Sequence, residues 1–248
     1  QRLASVGGDW AIRIWQRGSP EPIRVIDLRV QDREWLGHEP SDYFAIAFSA
    51  DGLRLATASS SGEVTILDAQ TGRLLTAMRG HADGPIRGLA FDPRGGELAT
   101  SSWDRTVRIW DLEQKRERRS LRGHTEPVNA VAYAPDGRWL ASGSYDHTVR
   151  IWDVSSGREL FEPLMHTGGV RGVAVSPDGR RLVSAGNDGV IRVWDTTTWR
   201  EIAALTGHRS AVRTVCFSPD GSWLASAGHD WTVRLWRLTD GENLAVLR

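Results

Sequence analysis

Residues 123–153 read GHTEPVNAVAYAPDGRWLASGSYDHTVRIWD, and this stretch returns along the chain at a nearly constant interval. The histidine that opens each copy stands at His38, His81, His124, His166 and His208, with spacings of 43, 43, 42 and 42 residues. A Trp-Asp pair closes three copies, at Trp110-Asp111, Trp152-Asp153 and Trp194-Asp195. A fixed period near 42 residues indicates an array of repeated units that forms one continuous structure.

Within one copy, short runs of apolar and β-branched residues alternate with turn residues, which predicts strands. The expected strands are Val128–Tyr133, Arg138–Ser142, Thr148–Trp152 and a weaker fourth strand, Arg158–Phe161. Pro135-Asp136-Gly137 has the composition of a tight turn, in which the glycine takes a positive φ. Four short antiparallel strands per period predict one blade of a β-propeller.

The copies are uneven. Residues 2–28 supply only the last three strands of a blade, so the first blade is expected to lack its inner strand. Nine extra residues around 29–36 form either a longer surface loop or a joint between two propellers. The expected blades are 1–36 (partial), 37–79, 80–122, 123–164, 165–206 and 207–248. About six blades, the first incomplete, suggest part of a larger ring or a longer chain.

On these in-register copies of GH…SPDG…LAS…D…VRIWD, the chain resembles the WD-repeat family over essentially its whole length. The resemblance implies an all-β propeller in which a histidine, a serine or threonine, an aspartate and a tryptophan of each blade form a hydrogen-bonded tetrad. Four complete tetrads are implied: His81, Thr100, Asp104 and Trp110; His124, Ser142, Asp146 and Trp152; His166, Ser184, Asp188 and Trp194; and His208, Ser226, Asp230 and Trp236. The copy that begins at His38 has Ser61 and Leu67 at the aspartate and tryptophan positions, and we expect it to be the least stable complete blade.

The same His, Ser and Asp residues could be taken for a nucleophilic triad. The set recurs at fixed spacing in every blade, whereas a catalytic site is needed once, so we interpret it as structural and expect no enzyme activity. None of the histidines stands in a metal-binding arrangement with cysteine or a second histidine, so no metal and no cofactor are expected. Cys216 takes the place of Ala132 on an inner strand and is expected to be a small buried residue.

Bulk composition narrows the classes of partner. The chain has 31 basic and 31 acidic residues, and this neutrality argues against nucleic acid as a partner. One cysteine and the lack of a long apolar run or signal peptide favour a reducing, cytoplasmic location without membrane insertion. A single lysine among many arginines suggests a GC-rich bacterial source.

The resemblance also implies where partners bind: around the first apolar residue of the inner strand and just before the tetrad aspartate. The residues at these positions that we expect to bind a partner are Phe44, Arg87, Trp103, Asn129, Tyr145, Arg171, Asn187, Arg213 and His229. Arginine and aromatic residues dominate interface hot spots, and three arginines favour an acidic or phosphorylated segment. The arginines could instead pair only with a neighbouring blade. The recurring arginines of the third strands, such as Arg108, Arg150 and Arg192, suggest packing between blades or a solvated strand edge.

The sequence therefore predicts a non-enzymatic scaffold or sensor that binds a protein or peptide, a role consistent with signalling. Two alternatives stay open. One is a nucleic-acid-binding propeller, because the three arginines could form a local basic patch. The other is a structural C-terminal module that regulates an effector domain elsewhere in the parent chain.

Overall fold

A computed structural model describes residues 2–7, 9, 11–28, 43–81 and 84–248, with the side chains of 43 and 44 left out. The expected fold class, an all-β propeller of six blades, is confirmed: the described residues form six small antiparallel sheets. The chain divides into two compact units. Unit 1 consists of residues 1–104 and 108–119, and unit 2 consists of residues 105–107 and 120–248.

Unit 1 holds the first three blades, although the division between the units passes through the third. The first blade has three described strands, β1 (Arg2–Val6), β2 (Ala11–Gln16) and β3 (Arg24–Asp27). The second has β4 (Tyr43–Phe48), β5 (Arg54–Ser59), β6 (Glu63–Asp68) and β7 (Leu74–Arg79). The third has β8 (Ile86–Phe91), β9 (Glu97–Ser102), β10 (Thr106–Asp111) and β11 (Arg116–Arg122).

Unit 2 holds three four-stranded blades. The fourth blade has β12 (Val128–Tyr133), β13 (Trp139–Ser144), β14 (Thr148–Asp153) and β15 (Leu164–Met165). The fifth has β16 (Val170–Val175), β17 (Arg181–Gly186), β18 (Ile191–Asp195) and β19 (Glu201–Leu205). The sixth has β20 (Val212–Phe217), β21 (Trp223–Gly228), β22 (Val233–Arg237) and β23 (Asn243–Leu247).

The turn between β12 and β13 forms as its residues predict. Gly137 adopts a φ of 67° and donates its backbone N–H to Ala134 O at 2.9 Å. The Asp136 side chain accepts the backbone N–H of Arg138 at 2.9 Å. The same turn recurs with glycines of positive φ in the other complete blades. Local chemistry therefore sets the hairpin, and the hairpin sets the alternation of the two flanking strands.

The fourth strand of the model repeat lies later than expected. We predicted it over Arg158–Phe161, but the outer strand is β15, and Glu159 makes only an isolated bridge to Trp152. Pro163 precedes β15 and has no N–H to offer a ladder. The chain therefore leaves β14 after the bridge and pairs again only at Leu164 and Met165.

Each blade inside a unit has two different sheet faces, one towards the preceding blade and one towards the following blade. We name them for the fifth and sixth blades of unit 2. The valine face of the fifth blade consists of two cross-strand rows, Gly172, Ala185, Ile191 and Leu205, and Ala174, Val183, Val193 and Ala203. It packs on the leucine–tryptophan face of the sixth blade, formed by Val212, Val215, Leu224 and Trp236.

The same contact between a valine face and a leucine–tryptophan face recurs between consecutive blades inside each unit. In unit 2, Val149 and Ile151 of the fourth blade pack on Leu182 and Trp194 of the fifth. In unit 1, the clusters join the first blade to the second and the second to the third. Within each unit, cores therefore form between consecutive blades.

Cys216 is exposed, so our expectation of a buried core residue is wrong. It pairs across the ladder with Ala225 on the valine face of the sixth blade. Ala174 holds the same position in the fifth blade and packs against the sixth. A residue at this position is therefore buried only where another blade packs against it.

The arginines of the third strands form ion pairs with glutamates, a contact that we did not predict. Arg150 donates to Glu159 at 2.5 Å, and Arg108 donates to Glu117 at the same distance, so each pair joins the third strand to the segment after it in the same blade. Arg192 repeats the arrangement with Glu201 at 3.4 Å. The three arginine side chains are only 15–18% exposed, so they lie neither at a solvated edge nor in an ion pair with another blade.

Candidate functional site

The histidines of four blades lie in buried hydrogen-bond networks. In the fourth blade His124 Nδ1 lies 2.7 Å from Asp146 Oδ2, His124 Nε2 lies 2.8 Å from Ser142 Oγ, and Trp152 Nε1 donates to the same Oγ at 2.8 Å. Since a carboxylate only accepts, Nδ1 is the donor, and the ring's Nε2 accepts from the hydroxyl.

The third blade repeats this network and adds a contact. His81 Nδ1 lies 2.8 Å from Asp104 Oδ2, and His81 Nε2 lies 2.6 Å from Thr100 Oγ1. Trp110 Nε1 donates to the same hydroxyl at 2.9 Å. Asp104 also accepts from Arg108 Nη2 at 3.4 Å, a contact that the sequence analysis did not foresee. The carboxylate of Asp104 therefore joins the tetrad to the arginine of the third strand.

The fifth blade has the same extended arrangement. His166 Nδ1 lies 3.2 Å from Asp188 Oδ2, and His166 Nε2 lies 2.6 Å from Ser184 Oγ. Trp194 Nε1 donates to the Ser184 hydroxyl at 2.8 Å. Arg192 Nη2 donates to Asp188 at 3.3 Å. The link between tetrad and third-strand arginine is thus shared by the third and fifth blades.

The sixth blade has the fourth complete tetrad. His208 Nδ1 lies 3.0 Å from Asp230, His208 Nε2 lies 2.7 Å from Ser226 Oγ, and Trp236 Nε1 donates to Ser226 at 2.8 Å. The side chains of His208 and Asp230 are 0% and 6% exposed, so they are shielded as well as the histidines and aspartates of the other three tetrads.

The hydroxyl groups show why these networks are not catalytic sites. Thr100, Ser142 and Ser184 are fully buried, and Ser226 is nearly so. Each hydroxyl already has a histidine and a tryptophan as partners. A hydroxyl that is buried and bonded to two partners cannot approach a substrate, so this geometry supports the structural interpretation.

The charge states of these groups follow from burial and hydrogen bonding. Burial lowers the pKa of His81 and of His166, and outweighs the opposing effect of the neighbouring aspartates. Burial alone would raise the pKa of Asp146, but hydrogen bonds from His124 and Thr148 outweigh it and hold that pKa well below its usual value. Burial alone would also raise the pKa of Asp188, but the hydrogen bond from the backbone N–H of Val190 and the hydrogen bonds from Thr167 and His166 outweigh it, and that pKa is lowered.

The first two blades depart from the tetrad. In the first, Trp15 Nε1 donates to Ser5 Oγ at 3.3 Å, and Arg13 pairs with Asp9 at 2.6 Å. In the second, the hydroxyl groups of Ser59 and Ser61 share one hydrogen bond of 2.7 Å. The buried Thr57 hydroxyl has no partner among the described residues. His38 lies outside the described residues.

The predicted partner-binding residues of the inner strands share a backbone feature. The ladder between the first two strands shifts register at the same point in all five complete blades, and the residues skipped are Phe44, Arg87, Asn129, Arg171 and Arg213. Each is therefore the extra residue of a β-bulge and leaves the ladder, and at the four positions from Arg87 to Arg213 the bulge also redirects the side chain. Sequence reasoning placed these residues correctly at one end of the strand but gave no signal for the bulge.

In unit 2 the structure brings three predicted residues together. The guanidinium of Arg171 lies over the ring of Tyr145, 5.1 Å from its centroid, and Arg171 Nε donates to Asn187 Oδ1 at 2.5 Å. Gly169 lies beneath them: a Cβ added there would stand 2.7 Å from Tyr145 Cδ1. The absence of a side chain at Gly169 therefore lets the tyrosine and the arginine pack closely.

Arg213 occupies the next bulge along unit 2. Its side chain is exposed, and its carbonyl oxygen would lie 3.3 Å from a Cβ at Gly172, so the bulges at 171 and 213 are on adjacent strands. His229 is also exposed, and its backbone N–H bonds to Ala211 O at 2.8 Å. We refer to Asn129, Arg171 and Arg213 as the bulge row.

Asn129 plays a part in the packing of blades. Its Nδ2 donates to Val170 O of the following blade at 3.0 Å. Arg171 likewise contacts Tyr145 of the preceding blade, so our alternative of pairing with a neighbouring blade holds for part of its side chain. The rest of the Arg171 guanidinium is not used in this way: no described residue accepts a hydrogen bond from its two terminal nitrogens.

Unit 1 holds a second pairing of an arginine with an aromatic ring. The Arg87 guanidinium lies 4.2 Å from the centroid of the Trp103 ring, and Trp103 is itself partly exposed. Phe44 lies in β4, and its side chain is outside the described part of the structure. Stacking on an aromatic face orients a guanidinium without using its hydrogen-bond donors.

The described residues contain no group of three His, Cys, Asp or Glu side chains placed to hold a metal ion. They also contain no helix long and apolar enough to cross a membrane. The site consists of arginine guanidinium groups, aromatic rings and side-chain amides on or next to bulged strands. These groups are suited to recognition of a polar ligand.

Comparison with protein families decides the relationship. The family model of the WD domain, G-beta repeat, matches residues 72–111, 115–153, 159–195 and 199–237, which is more than half of the chain. The chain belongs to the WD-repeat family. Each match begins near the outer strand of one blade and ends at the third strand of the next, so the WD sequence repeat and the structural blade are offset by one strand.

Membership gives the general role. WD-repeat propellers are generally non-enzymatic scaffolds that bind proteins or peptides. The four matches cover the first three strands of each blade that has a complete tetrad, and of the two blades that depart from the tetrad only the outer strand of the second, β7, lies in a match. A search of curated proteins gave no match.

Proposed function

We propose that this WD-repeat chain is a non-enzymatic interaction module, and that the bulge row of unit 2 binds an acidic or phosphorylated segment of a partner protein. One observation carries the proposal. Arg171 is held by Tyr145 and Asn187 through its ring-facing side and its Nε, while its terminal nitrogens have no acceptor among the described residues.

An arginine held in this way is prepared for an anion. Its two terminal nitrogens form a planar fork that matches a carboxylate or a phosphate in a bidentate contact. Because Tyr145 and Asn187 already fix the side chain, binding costs less rotamer entropy than it would for a free arginine. Arg213 on the adjacent strand adds a second exposed cation.

The chemistry of the neighbours favours a protein segment over nucleic acid. Tyr145 and Asn129 offer apolar contact and amide groups beside the arginine, the mixture typical of interface hot spots. A duplex would need many phosphate contacts, and the chain as a whole carries no excess of positive charge. Regulation of an effector domain in the parent chain is compatible with this site, since that domain could supply the acidic segment.

The proposal is tested by fluorescence polarisation against an array of peptides that carry phosphoserine, glutamate or serine at the same position. We expect phosphoserine or glutamate peptides to bind and serine peptides not to bind. Arg171→Gln should weaken binding at least about ten-fold, as loss of a charge-assisted bidentate contact predicts.

Two further variants sharpen the test. Gly169→Ala adds a methyl group against Tyr145 without changing any charge, and it should also weaken binding. Arg138→Gln removes an arginine in the turn between β12 and β13 whose side chain is 83% exposed, and it should leave binding unchanged. The proposal is wrong if no acidic peptide binds, if Arg138→Gln weakens binding as much as Arg171→Gln, or if only a DNA duplex binds.

A further inference from the structure

A groove runs along the outer side of the contact between the fifth and sixth blades. It has a volume of about 480 Å³ and lies between the fifth blade and the turn that joins β22 to β23. We call it the outer groove, and the lining residues that matter here are Arg181, Val193, Ala203, Leu205, Leu238 and Gly241. Both blades that flank the groove belong to unit 2, so its two walls are described together.

The contact between the fourth and fifth blades has an equivalent position for each side of this groove. Trp139 and Arg181 each begin the second strand of a blade and pair with the aspartate that ends the third strand. Trp199 and Gly241 each follow the third strand and donate their backbone N–H to the residue that ends it. Both have a positive φ, 55° for Trp199 and 72° for Gly241. The two contacts can therefore be compared residue by residue.

Between the fourth and fifth blades, an aromatic ring fills the space. The centroid of the Trp199 ring lies 5.2 Å from that of Trp139, at an interplanar angle of 78°, and 4.9 Å from that of Phe161. Trp199 also packs on the cluster that contains Ile151 and Leu164, the counterparts of Val193 and Leu205. The fifth blade thus closes its contact with the fourth by inserting a tryptophan.

The outer groove has the same apolar floor but no ring. Gly241 supplies no side chain, although a Cβ added there would stand 3.1 Å from Leu205 Cδ2, so this position faces the groove. Arg181 stands in the place of Trp139. Its guanidinium forms no ion pair and no hydrogen bond with any residue that the structure describes. The groove therefore combines apolar walls with a cation that has no partner in the described part of the chain.

The second blade shows which group suits an arginine at this position. Arg54 begins β5 as Arg181 begins β17, and it reaches into the third blade of unit 1. Its guanidinium lies 5.8 Å from the centroid of the Phe91 ring and donates to Gly95 O at 2.7 Å. A cation attracts the negative face of an aromatic ring, which an aliphatic side chain does not have. Charge complementarity therefore favours an aromatic occupant for the outer groove.

We propose that the outer groove is a binding site for an aromatic side chain carried by an extended segment of a partner protein. β19 is the edge strand of its sheet, so such a segment can also form backbone hydrogen bonds along it, which a free aromatic molecule cannot do to the same extent. The site is separate from the bulge row, because Arg181 begins β17 and the bulge at Arg171 lies opposite the end of that strand. It does not rest on the function proposed above.

The chemistry of the groove is tested by heteronuclear NMR of the 248-residue chain. We expect N-acetyltryptophanamide to shift the backbone amide signals of Ala203, Leu238 and Gly241 saturably, and N-acetylleucinamide to bind at least about three-fold more weakly. A peptide with one tryptophan flanked by glycine and serine should bind at least about three-fold more tightly than N-acetyltryptophanamide, because it adds backbone contacts.

Two pairs of variants place the binding in the groove. Gly241→Trp supplies the missing ring from the chain itself and should abolish binding of N-acetyltryptophanamide, whereas Gly241→Ala leaves the groove open and should retain it. Arg181→Gln should weaken binding about three-fold through loss of the cation. Arg180→Gln removes the same charge from an exposed neighbour that does not line the groove, and it should leave binding unchanged.

Circular dichroism shows which variants keep their sheets, and the two arginine variants test the proposal even if Gly241→Trp does not fold. The proposal is overturned if N-acetyltryptophanamide shifts no signal of the groove or if N-acetylleucinamide binds equally well. It is also overturned if the tryptophan peptide binds no more tightly than N-acetyltryptophanamide, if a folded Gly241→Trp still binds the probe, or if Arg181→Gln and Arg180→Gln have the same effect.

Discussion

The second and fourth blades are built from the same four-stranded sheet but differ in what lies inside it. The fourth has a complete tetrad from His124 to Trp152, whereas the second has Ser61 and Leu67 at the aspartate and tryptophan positions. Both have a fully buried leucine on the second strand. Strand pairing and apolar packing between blades therefore form the blade without the tetrad. The tetrad adds local stability to a sheet that is already specified.

The largest expected effect is a difference in stability between substitutions at the same tetrad position of the two blades. Asp146→Ala removes the acceptor of two buried donors, His124 Nδ1 and the Thr148 hydroxyl. We expect it to lower the free energy of unfolding by about 3 kcal/mol, from the cost of stranded buried polar groups. Ser61→Ala in the second blade removes one hydrogen bond to Ser59 and should cost about 1 kcal/mol or less.

Urea denaturation of the two variants beside the unaltered chain measures this difference. Equal losses of stability in the two blades would contradict the view that the tetrad is a local addition. Circular dichroism before denaturation controls for variants that have lost the sheet altogether.

Removal of one buried hydroxyl from each of the two blades should change the free energy of unfolding by less, and in different directions. Ser142→Ala removes the oxygen that joins His124 to Trp152 and should cost about 2 kcal/mol, because two buried groups lose a partner. Thr57→Val removes a buried hydroxyl that has no partner among the described residues. Since the two side chains have nearly the same shape, we expect Thr57→Val to be neutral or stabilising. Thermal unfolding measures both, and a loss for Thr57→Val as large as that for Ser142→Ala would contradict the prediction.

The smallest expected effect is a dependence of stability on pH that arises in the tetrad blades. Burial lowers the pKa of His81 and His166 in the folded chain, so below about pH 6.5 the unfolded chain binds more protons than the folded one. Stability is therefore fully present above pH 6.5 and falls as the pH is lowered towards 5. The lowered pKa of Asp146 and Asp188 adds a further loss below about pH 4.

Thermal unfolding followed between pH 8 and pH 5 measures the histidine contribution. His166→Gln should make the slope shallower, whereas His229→Gln, at an exposed histidine outside the tetrads, should leave it unchanged. Stability that falls as the pH rises from 5 to 8 would show that the sign is wrong.

The sequence predicted those features that are written locally. Pro135, Asp136 and Gly137 specify their turn by their own chemistry, and the recurrence of the His, Ser, Asp and Trp positions identified the tetrads. The tight turn and the tetrad appear in the structure at these residues. Both depend on residues within one copy of the repeat, which is why one copy suffices to recognise them.

The features that were missed depend on neighbours or on backbone geometry. Cys216 was expected in the core because it takes the place of Ala132 in the repeat. Ala174, its counterpart in the fifth blade, does pack against another blade, but Cys216 is exposed. The bulges at Arg171 and Arg213 leave no mark in the alternation of apolar residues, so the redirection of these side chains was not foreseen. The late outer strand β15 reflects the bridge at Glu159, a pairing that propensity does not reveal.

Differences among the four tetrads were missed for the same reason. Asp104 accepts from Arg108 as well as from its histidine, a contact that depends on where the arginine side chain lies in space. Asp188 accepts from Arg192 in the same way in the fifth blade. A repeat pattern assigns equal roles to equivalent positions, so it does not show which tetrads an arginine extends.

The pairs formed by Arg108, Arg150 and Arg192 with glutamates also divide the positive charge of the chain into two classes. These arginines are largely shielded from water, so dissolved ions screen their contacts weakly, whereas exposed arginines such as Arg213 are screened within a Debye length of about 8 Å at physiological ionic strength. Added salt should therefore release an acidic partner at concentrations that leave the blades folded. Net neutrality thus hides a chain that is insensitive to salt in its framework and sensitive to it at its surface.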